Sequence, residues 1–434
     1  MPEELYRIYS VVVFESQAKV LGVLGYATIT GVAARTALVT TAPPPNLLPY
    51  WPETPIRHTL QWPTDLIVAW DGTEQRIAVY GAPRESYELE FRFSSEERLR
   101  EAAALLYRRL PEPLAVPLWH SPETLAAPAS VGDSGLSTLS VYFDGLVGDQ
   151  MLVVHESDEQ KIEVVTFAGY NPSIGQLLIQ EALEYDWPIG TLVIPIRTMH
   201  LPDGAGLKRE IEHAGTLQIM ATTRTRRALG GTDGTPMPVL GGLPILDEPQ
   251  IARGDADEAI RYRSEVMDHG AVRVLYPGQP HPDVGGQRSF RINGRFEMQQ
   301  WKLFLDTVKG RQGTFFVPSH RPDLVYVSST PGYPSSGLTI TDDGDYVGTR
   351  YPSLAMRSLM LRYPDGSSVP CSVSSATDNG DGTQLLVLSA YLPAGPPTRI
   401  ELMPLTRLAS DTVEIEHHHS YSLISMRLET TETR

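Results

Sequence analysis

The sequence predicts a mainly β fold with a few helices (α+β), arranged as two tandem, similar β-rich modules. Glycine and proline are frequent, at 36 residues each, and they separate short segments in which apolar and polar residues alternate. Twice along the chain such an alternating segment leads directly into a segment of helical periodicity. The landmarks around these two passages recur in the same order, which is typical of an internal duplication.

Composition limits the class of protein. The chain has 434 residues, of which 41% are hydrophobic and 20% charged, so it can form several domains with packed cores. Cys371 is the only cysteine, which excludes an internal disulfide and a cysteine-based metal site. The net charge of −16 disfavours sequence-specific nucleic-acid binding, because an acidic surface repels phosphate. The sequence contains no apolar run of membrane-spanning length, and its acidic start differs from a signal peptide.

The first strand-to-helix passage lies in the N-terminal half. Residues 74–93 alternate between apolar and polar, which predicts strand structure. A helix is predicted from Ser95 to Leu110, with Ser94 and Glu97 forming a capping box at its start. One face of this helix carries an apolar stripe made of Leu99, Ala103, Leu106 and Leu110. The stripe indicates a helix packed against a sheet or a split barrel.

The second passage lies in the C-terminal half. The segment GQRSFRINGRFEM is followed by a helix predicted from Glu297 to Lys309, which Gly310 ends. Its apolar stripe consists of Met298, Trp301, Leu305 and Val308. This helix is predicted to be the principal helix of the second module.

Further landmarks support the duplication. After each helix comes a Val-Pro segment, then a Pro-Arg segment, then the string EIEH and a final alternating strand. The paired segments are PLAVPLWHSPETL (113–125) with GTFFVPSHRPDL (313–324), TLVIPIRTMHL (191–201) with IELMPLTRLA (400–409), and EIEH at 210–213 with EIEH at 414–417.

The landmarks place the module boundaries. An N-terminal β segment occupies residues 1–54, and the first module occupies 55–228. A connector rich in glycine and proline spans 229–249 and is predicted to be a linker, because it lacks apolar periodicity. The second module, a duplicate of the first, occupies 250–434.

The second EIEH string opens into three histidines. In a strand, His417 and His419 would lie on one face and Glu414 and Glu416 on the other, which separates the residues that could hold a metal. A structural or solvent-facing role is therefore predicted for His417–His419. A metal-binding or pH-sensing role is the alternative, because histidine titrates near neutral pH.

Other short motifs are weak signals. VGDSGLS (131–137) is similar to a serine-protease segment, but it lacks the family's glycine at Leu136, and Ser134 is predicted to lie in a turn. TDNGDGT (377–383) and TDDGDY (341–346) do not fit the spacing of a calcium loop and are predicted to be hairpin turns. RGD at 253–255 is short enough to occur by chance. We predict no enzyme activity, no catalytic residue, no cofactor and no metal ligand.

The second half resembles tail-tip and baseplate proteins of long-tailed, siphovirus-type bacteriophages, a family related to distal tail and hub proteins. The segments that carry this resemblance are PVLGGLPILDEPQ, RSEVMDHGAV, QRSFRINGRFEMQQWKLFLDTVKGRQGTFFVPSHRPDL, LMPLTRLASDTVEIEH and MRLETTE, which cover most of 238–432. WPTDLIVAWDGTEQRIAVYGAPR (62–84) extends it to the first half. The polar SHRPDL and the histidine run depart from the family pattern.

The resemblance implies a structural virion component at the distal end of a phage tail. Such a protein forms a ring that joins the tail tube to hub and receptor-binding proteins, has the tape-measure and fibre proteins as neighbours, and is made in the host cytoplasm. One alternative is a carbohydrate- or receptor-binding β-sandwich, with a stacking platform made of Trp51, Trp62, Trp70 and Trp119. Another is a cell-wall hydrolase, which would need two carboxylates in a cleft.

The predicted duplication also bears on assembly. A tail tube is sixfold, whereas hubs and spikes are commonly threefold. Three copies of a chain with two similar modules would present six near-equivalent units, so a trimer with pseudo-sixfold symmetry is expected over a plain hexamer.

Overall fold

The structure, a computed structural model, describes residue 44 and residues 46–432, apart from short gaps at 70–72, 141, 157, 172, 212–213, 231–236, 250–258, 262–263, 269, 271–272, 278–280, 331 and 333–335. Strands hold 49% of the residues and helices 11%, which confirms the predicted mainly β class with few helices. Among the described residues, no helix is long and apolar enough to cross a bilayer. The predicted N-terminal β segment falls mostly outside the described residues.

The chain forms two compact units. Of the described residues, the smaller contains residue 44 and those within Pro122–Ile196, and the larger those within Asn46–Ser121 and 197–432. The opening part of the larger unit contains β1 (Ile56–Gln61), β2 (Thr64–Val68), β3 (Glu74–Ala78), β4 (Arg84–Phe93), α1 (Glu96–Arg109) and β5 (Leu114–Pro117). The smaller unit follows with β6 (Glu123–Thr124), β7 (Gly135–Ser137), β8 (Gln150–His155), β9 (Asp158–Asn171) and β10 (Gln176–Ile179), and β11 (Leu192–His200) continues into the larger unit.

The remainder of the chain belongs to the larger unit. Its strands up to the second helix are β12 (Ala205–Ile211), β13 (Ala214–Thr223), β14 (Val239–Leu240), β15 (Leu243–Pro244), β16 (Ala259–Arg261), β17 (Ser264–Asp268), β18 (Arg273–Pro277) and β19 (Asp283–Ile292). Helix α2 (Gly294–Val308) is followed by β20 (Thr314–Phe316), β21 (Tyr326–Thr330), β22 (Ser336–Thr341), a π-helical turn (Tyr346–Arg350), a 3-10 turn (Leu354–Met356), β23 (Ser358–Arg362), β24 (Ser368–Asp378), β25 (Thr383–Leu388), β26 (Arg399–Leu402), β27 (Leu405–Leu408), β28 (Thr412–His417) and β29 (Ser422–Thr430).

The smaller unit is a set of antiparallel strands around its own core. β8 pairs with β9 and with the first part of β11, and β10 pairs with β7 and β9. Trp187 fills the core, and its indole N–H donates a 2.8 Å hydrogen bond to Glu163. Glu163 also accepts a bond of 2.7 Å from the backbone N–H of Glu184. The buried carboxylate is therefore satisfied and fixes the indole in place.

An antiparallel sheet of eight strands forms the centre of the larger unit. Its order is β12-β13-β4-β1-β28-β29-β19-β16. At the centre β1 pairs with both β4 and β28, so that Ile56 lies opposite His417 and Gln61 opposite Thr412. In the part of the chain that the structure describes, the outer strands β12 and β16 have a paired strand on one side only. The central pair joins the two halves of the chain in one sheet.

Each half of the chain contributes the same order of pairings. β4 leads into α1 and pairs with β13 over eight residue pairs, and β19 leads into α2 and pairs with β29 over eight. β12 forms a hairpin with β13, as β28 does with β29. β1 pairs with β4, as β16 does with β19, and a two-stranded hairpin follows each first strand. The pairing of β1 with β28 also places strands from both halves of the chain in the larger unit. The boundary between the two compact units therefore does not lie at the predicted linker, residues 229–249.

Helix α1 matches its predicted position closely, but its cap differs. The N-cap is Ser95, with no side-chain cap hydrogen bond, so the predicted capping box of Ser94 and Glu97 is wrong. The helix begins one residue later than the box requires, which places Glu97 at the second helical position instead of the third. The buried face consists of Leu99, Ala102 and Leu106. This face lies on β4 and β13.

Helix α2 begins three residues before its predicted start and ends at Val308, one residue before its predicted end. Lys309 is in the left-handed conformation (φ 52°), followed by Gly310 (φ 67°), which ends the helix. Of the predicted stripe, Trp301, Leu305 and Val308 are buried, and Met298 is partly buried against the same cluster. Phe304 is buried as well. The prediction of a core-facing stripe is confirmed.

The side chains of α2 form the centre of an extensive hydrophobic cluster. The Trp301 ring lies 5.2 Å from Phe290 of β19 and 5.7 Å from Phe304. Trp62, which follows β1, is fully buried in the same cluster, as is Ile424 of β29. The cluster therefore packs α2 against the sheet at the place where the two halves meet.

The segment between β20 and β27 forms a second sheet. Its order is β21-β22-β25-β24-β23-β26, and all pairs are antiparallel. Leu338, Leu361 and Cys371 are buried in the cluster beneath it. The Cys371 side chain is fully buried, and burial raises its pKa to about 12, so the thiol stays protonated.

The glycine- and proline-rich connector is packed along its second part. β14 and β15 form a short hairpin there. Ile245 and Leu246 are fully buried, and Leu246 donates a backbone hydrogen bond of 2.8 Å to Phe316 of β20. This part of the connector is therefore bound to the sheet.

Candidate functional site

Neighbouring strands at the centre of the eight-stranded sheet have polar side chains on the same buried face. β1 supplies His58, and β28 supplies His417, which lies opposite Ile56. Because side chains alternate between faces, His58 and His417 share a face. Tyr87 of β4 lies opposite His58, and Ser422 of β29 lies opposite His417. The polar row therefore crosses four adjacent strands, from β4 to β29.

His120 joins this row from the turn after β5. Its ring stacks on the ring of His417 with 4.2 Å between centroids, and it lies 5.4 Å from the rings of both His58 and Tyr87. His58 and His417 are buried, at 5% exposure each, whereas His120 is partly exposed. The three imidazoles thus form one cluster, of which His120 is the most exposed member.

The ring nitrogens lie in a chain of short contacts. Nδ1 of His58 is 3.3 Å from Nε2 of His417, and Nδ1 of His417 is 2.9 Å from Oγ of Ser422. At the other end, Nε2 of His58 is 3.3 Å from Oε2 of Glu85. The hydroxyl of Tyr87 donates a 2.7 Å hydrogen bond to the same carboxylate oxygen. Glu85 therefore holds both His58 and Tyr87.

The electrostatics of the cluster keep Glu85 ionised. Burial alone would raise the pKa of this carboxyl. The contacts with His58 and Tyr87 and the charge of Arg227 outweigh burial, so the pKa of Glu85 is below its usual value. Glu85 is the negative end of the row.

His120 is held neutral. Burial lowers its pKa well below the usual value for histidine, and nearby groups lower it further, namely His417, His58, Lys302 and Arg295. At neutral pH the His120 ring therefore has an unshared electron pair on one nitrogen.

The cluster has the composition of a metal-binding group. One nitrogen each from His58, His120 and His417 can be chosen so that all three lie within 4.8 Å of one another. Among the described residues, this is the one group of three or more histidine, cysteine or acidic side chains with such spacing. Without an ion, the same atoms can form a hydrogen-bonded row that ends at Glu85.

The three histidines of the run His417–His419 do not lie on one face of the sheet. His417 lies on the buried face of β28, and Glu414 points to the opposite, exposed face. His419 does not share the face of His417, because β28 ends at His417 and the chain turns there. His418 stacks on Tyr421 at 4.5 Å, and His419 is exposed. Only His417 of the run belongs to the cluster.

The other short motifs singled out in the sequence contribute no residue to the histidine cluster. Ser134 is exposed in a turn, where its carbonyl accepts a hydrogen bond from Ile179. The 377–383 segment is a hairpin turn between β24 and β25, closed by side-chain bonds such as that from Gly380 N–H to Asp378. The 341–346 segment leads into the π-helical turn, so its prediction as a hairpin turn is wrong, because β22 pairs with the later strand β25. The RGD at 253–255 lies outside the described residues.

The tryptophans proposed as a stacking platform are mostly in the interior. Trp62 is fully buried, and Trp119 is buried at 9% exposure. Trp51 is partly buried against Trp119, with 4.5 Å between rings. Trp70 lies outside the described residues. Trp62 and Trp119 therefore stabilise the fold and do not offer an exposed ring face to a sugar.

Sequence reasoning missed His58 and His120 as site residues. His58 occupies the second of three buried positions in β1, between Ile56 and Leu60. A histidine on the apolar face of a strand is the sequence feature that could have indicated a buried polar site. His120 lies in a recurring landmark segment but in no ligand motif. His58 and His417 are 359 residues apart, and only the strand pairing brings them together.

No protein-family model matches the chain, and no curated protein sequence matches it at a significant level.

Proposed function

We propose that the protein is a structural component of the distal end of a long-tailed phage tail. In this proposal it forms a ring that joins the tail tube to the hub and receptor-binding proteins. The sequence resemblance described above and the mainly β fold support the proposal. The net charge of −16 agrees with it, since a channel that passes DNA must not bind DNA tightly.

The observation that carries the ring proposal is the arrangement of the outer strands. By position in the recurring order, β12 corresponds to β28, and β16 corresponds to β1. β28 and β1 pair with each other at the centre of the sheet. β16 of one chain can therefore pair with β12 of the next chain in the same manner as β1 pairs with β28.

This contact is heterologous, so repeated copies must either close into a ring or extend as a filament. Three copies would continue the sheet around an axis, and each chain would supply two similar sets of strands. At about 4.8 Å between strands, three sheets of eight strands would have a perimeter of about 115 Å. Three chains would then offer six near-equivalent positions to a sixfold tube.

The outer strands carry apolar side chains that such pairing would cover. Leu207 on β12 is 40% exposed, and Ile260 on β16 is 63% exposed. An edge strand with exposed apolar residues is a site for pairing with another chain. Both edges therefore have the character of an assembly surface.

The mass of the purified assembly tests this proposal. We expect native mass spectrometry to show three chains, and we expect Leu207→Asp and Ile260→Asp each to give monomers that remain folded. Tyr391→Asp is the matched control, because Tyr391 is 61% exposed and lies between β25 and β26 of the separate six-stranded sheet. An assembly of six chains would exclude the pseudo-sixfold ring, and a wild-type monomer would exclude self-assembly by these strands.

A further inference from the structure

We propose that His58, His120 and His417 bind one divalent transition-metal ion at the pairing of β1 with β28. The metal that fits best is zinc, which is commonly bound by three histidines with a fourth position left open. This inference does not depend on the proposed role in a phage tail.

The distance between the two buried histidines fits a shared ion. Two nitrogens bound tetrahedrally to zinc, each at about 2.0–2.1 Å, are about 3.3–3.4 Å apart. Nδ1 of His58 and Nε2 of His417 are 3.3 Å apart. His120, from the turn after β5, supplies the third nitrogen within 4.8 Å of the other two. Tetrahedral binding would require this nitrogen to lie about 3.3–3.4 Å from the other two.

The second nitrogen of each buried histidine is already held. Nε2 of His58 faces the Glu85 carboxylate at 3.3 Å, and Nδ1 of His417 faces the Ser422 hydroxyl at 2.9 Å. In metal sites the ligating histidine donates its other N–H to a carboxylate or another oxygen, which fixes the ring and raises its basicity. With both N–H groups directed outwards, the unshared electron pairs of His58 Nδ1 and His417 Nε2 face each other. A cation between them removes this repulsion.

Two features define the fourth position and the charge of the site. His120 is partly exposed, so the open side of the cluster can admit water or an anion as the fourth ligand. Glu85 provides one negative charge, while Lys302 and Arg295 act on His120 as positive charges.

A hydrogen-bonded row without metal is the competing state. In that state Ser422 donates to Nδ1 of His417, Nε2–H of His417 donates to Nδ1 of His58, and Nε2–H of His58 donates to Glu85. The two states place the proton of His417 on different nitrogens. A measurement of metal binding by the protein therefore distinguishes the two states.

The test uses full-length protein freed of metal with a chelator and titrated with Co²⁺ alone, then with Zn²⁺ in competition. We expect one Co²⁺ per chain with the intense visible absorption bands of tetrahedral cobalt, displaced by one Zn²⁺. Glu85→Gln, which keeps the shape of the side chain, should weaken binding about 10–100-fold, and loss of a ligand in His120→Gln should weaken it more. His419→Gln is the control, because His419 is exposed beyond the end of β28.

Circular dichroism of each variant establishes that it is folded, and His120→Gln alters a partly exposed turn and no strand of the sheet. Wild-type protein that takes up no Co²⁺ overturns the proposal. Equal Co²⁺ binding by wild type and folded His120→Gln also overturns it, since the ion would then be held elsewhere. Loss of binding in His120→Gln with full binding in His419→Gln supports the site.

Discussion

The two halves of the larger unit share an order of strand pairings but fill their cores differently. Helix α2 buries two aromatic rings, Trp301 and Phe304, against its sheet strands. Helix α1 buries Leu99, Ala102 and Leu106, and its Tyr107 is 90% exposed. The order of strand pairing therefore does not determine which side chains fill the space between helix and sheet. The pairing order can be kept while the volume between helix and sheet is filled with different side chains.

The largest expected loss of stability comes from a substitution in the core beneath α2. Trp301→Ala should lower the free energy of unfolding by about 3–5 kcal/mol, because it leaves a large cavity in the main cluster. Leu99→Ala, at the equivalent face of α1, should cost less, about 2–3 kcal/mol. Urea unfolding of both variants measures the difference. A loss for Leu99→Ala equal to or above that for Trp301→Ala would reverse the comparison.

The control for both is a change on the exposed face of a helix. Thr307→Ala suits this purpose, because Thr307 is exposed near the end of α2 and bonds only locally, to the carbonyl of Leu303 at 2.7 Å. Lys302 of the same helix is only partly exposed and its charge acts on His120, so it is a poor control. Thr307→Ala should change stability by less than about 0.5 kcal/mol.

A smaller effect should come from an ionic anchor in the second half. Asp411 accepts hydrogen bonds from Arg311, in the turn after α2, at 2.8 Å and from the backbone N–H of Thr64 at 3.0 Å. Burial alone would raise the pKa of Asp411, but these contacts outweigh it and lower the pKa. Asp411→Asn should therefore cost about 1–2 kcal/mol at pH 7.

The pH dependence of this anchor has a defined sign. Because the pKa of Asp411 is lower in the folded than in the unfolded protein, its contribution is complete above the unfolded pKa of about 3.9 and is lost as the pH falls through the folded value. The difference in unfolding free energy between wild type and Asp411→Asn should be constant from pH 7 to about pH 5 and should shrink below pH 4. A difference that grows with acidity would contradict the assignment.

The smallest expected effect tests the likeness of the halves. Ser86 and Thr222 hydrogen-bond across β4 and β13 at 3.1 Å, and Ser289 and Ser425 do so across β19 and β29 at 3.0 Å. Ser86→Ala and Ser289→Ala should each cost about 0.5–1 kcal/mol, since each removes one partly buried bond. Thermal unfolding of the two variants side by side measures both. Costs that differ by more than about 1 kcal/mol would show that the two strand pairs are not equivalent in strength.

Much of the fold was predictable because it depends on local patterns. Alternation in 84–93 and periodicity around Trp301 predict a strand and a helix directly, since burial of one face requires those spacings. The start of α1 was displaced by one residue because Ser94 and Ser95 can both serve as N-cap. The central pairing of β1 with β28 was not predictable, since no local pattern encodes which distant strand becomes a neighbour.

The same reason explains why the histidine cluster was missed. The sequence pattern groups His417 only with residues near it in the chain, Glu414, Glu416, His418 and His419. Its actual neighbours, His58 and His120, come from β1 and from the turn after β5. A histidine on the apolar face of a strand signals a buried polar group, but it does not identify the group's partner.

The pairing of β1 with β28 has a consequence for synthesis of the chain on the ribosome. Residues 56–61 emerge early, but their partners at 412–417 lie near the end of the sequence. The sheet cannot be completed until residues 412–417 have been translated, so β1 must wait with one side unpaired. A prematurely terminated product lacks β28 and exposes an additional edge, which makes it prone to aggregate. Only chains translated through β28 and β29 can therefore complete the central part of the sheet.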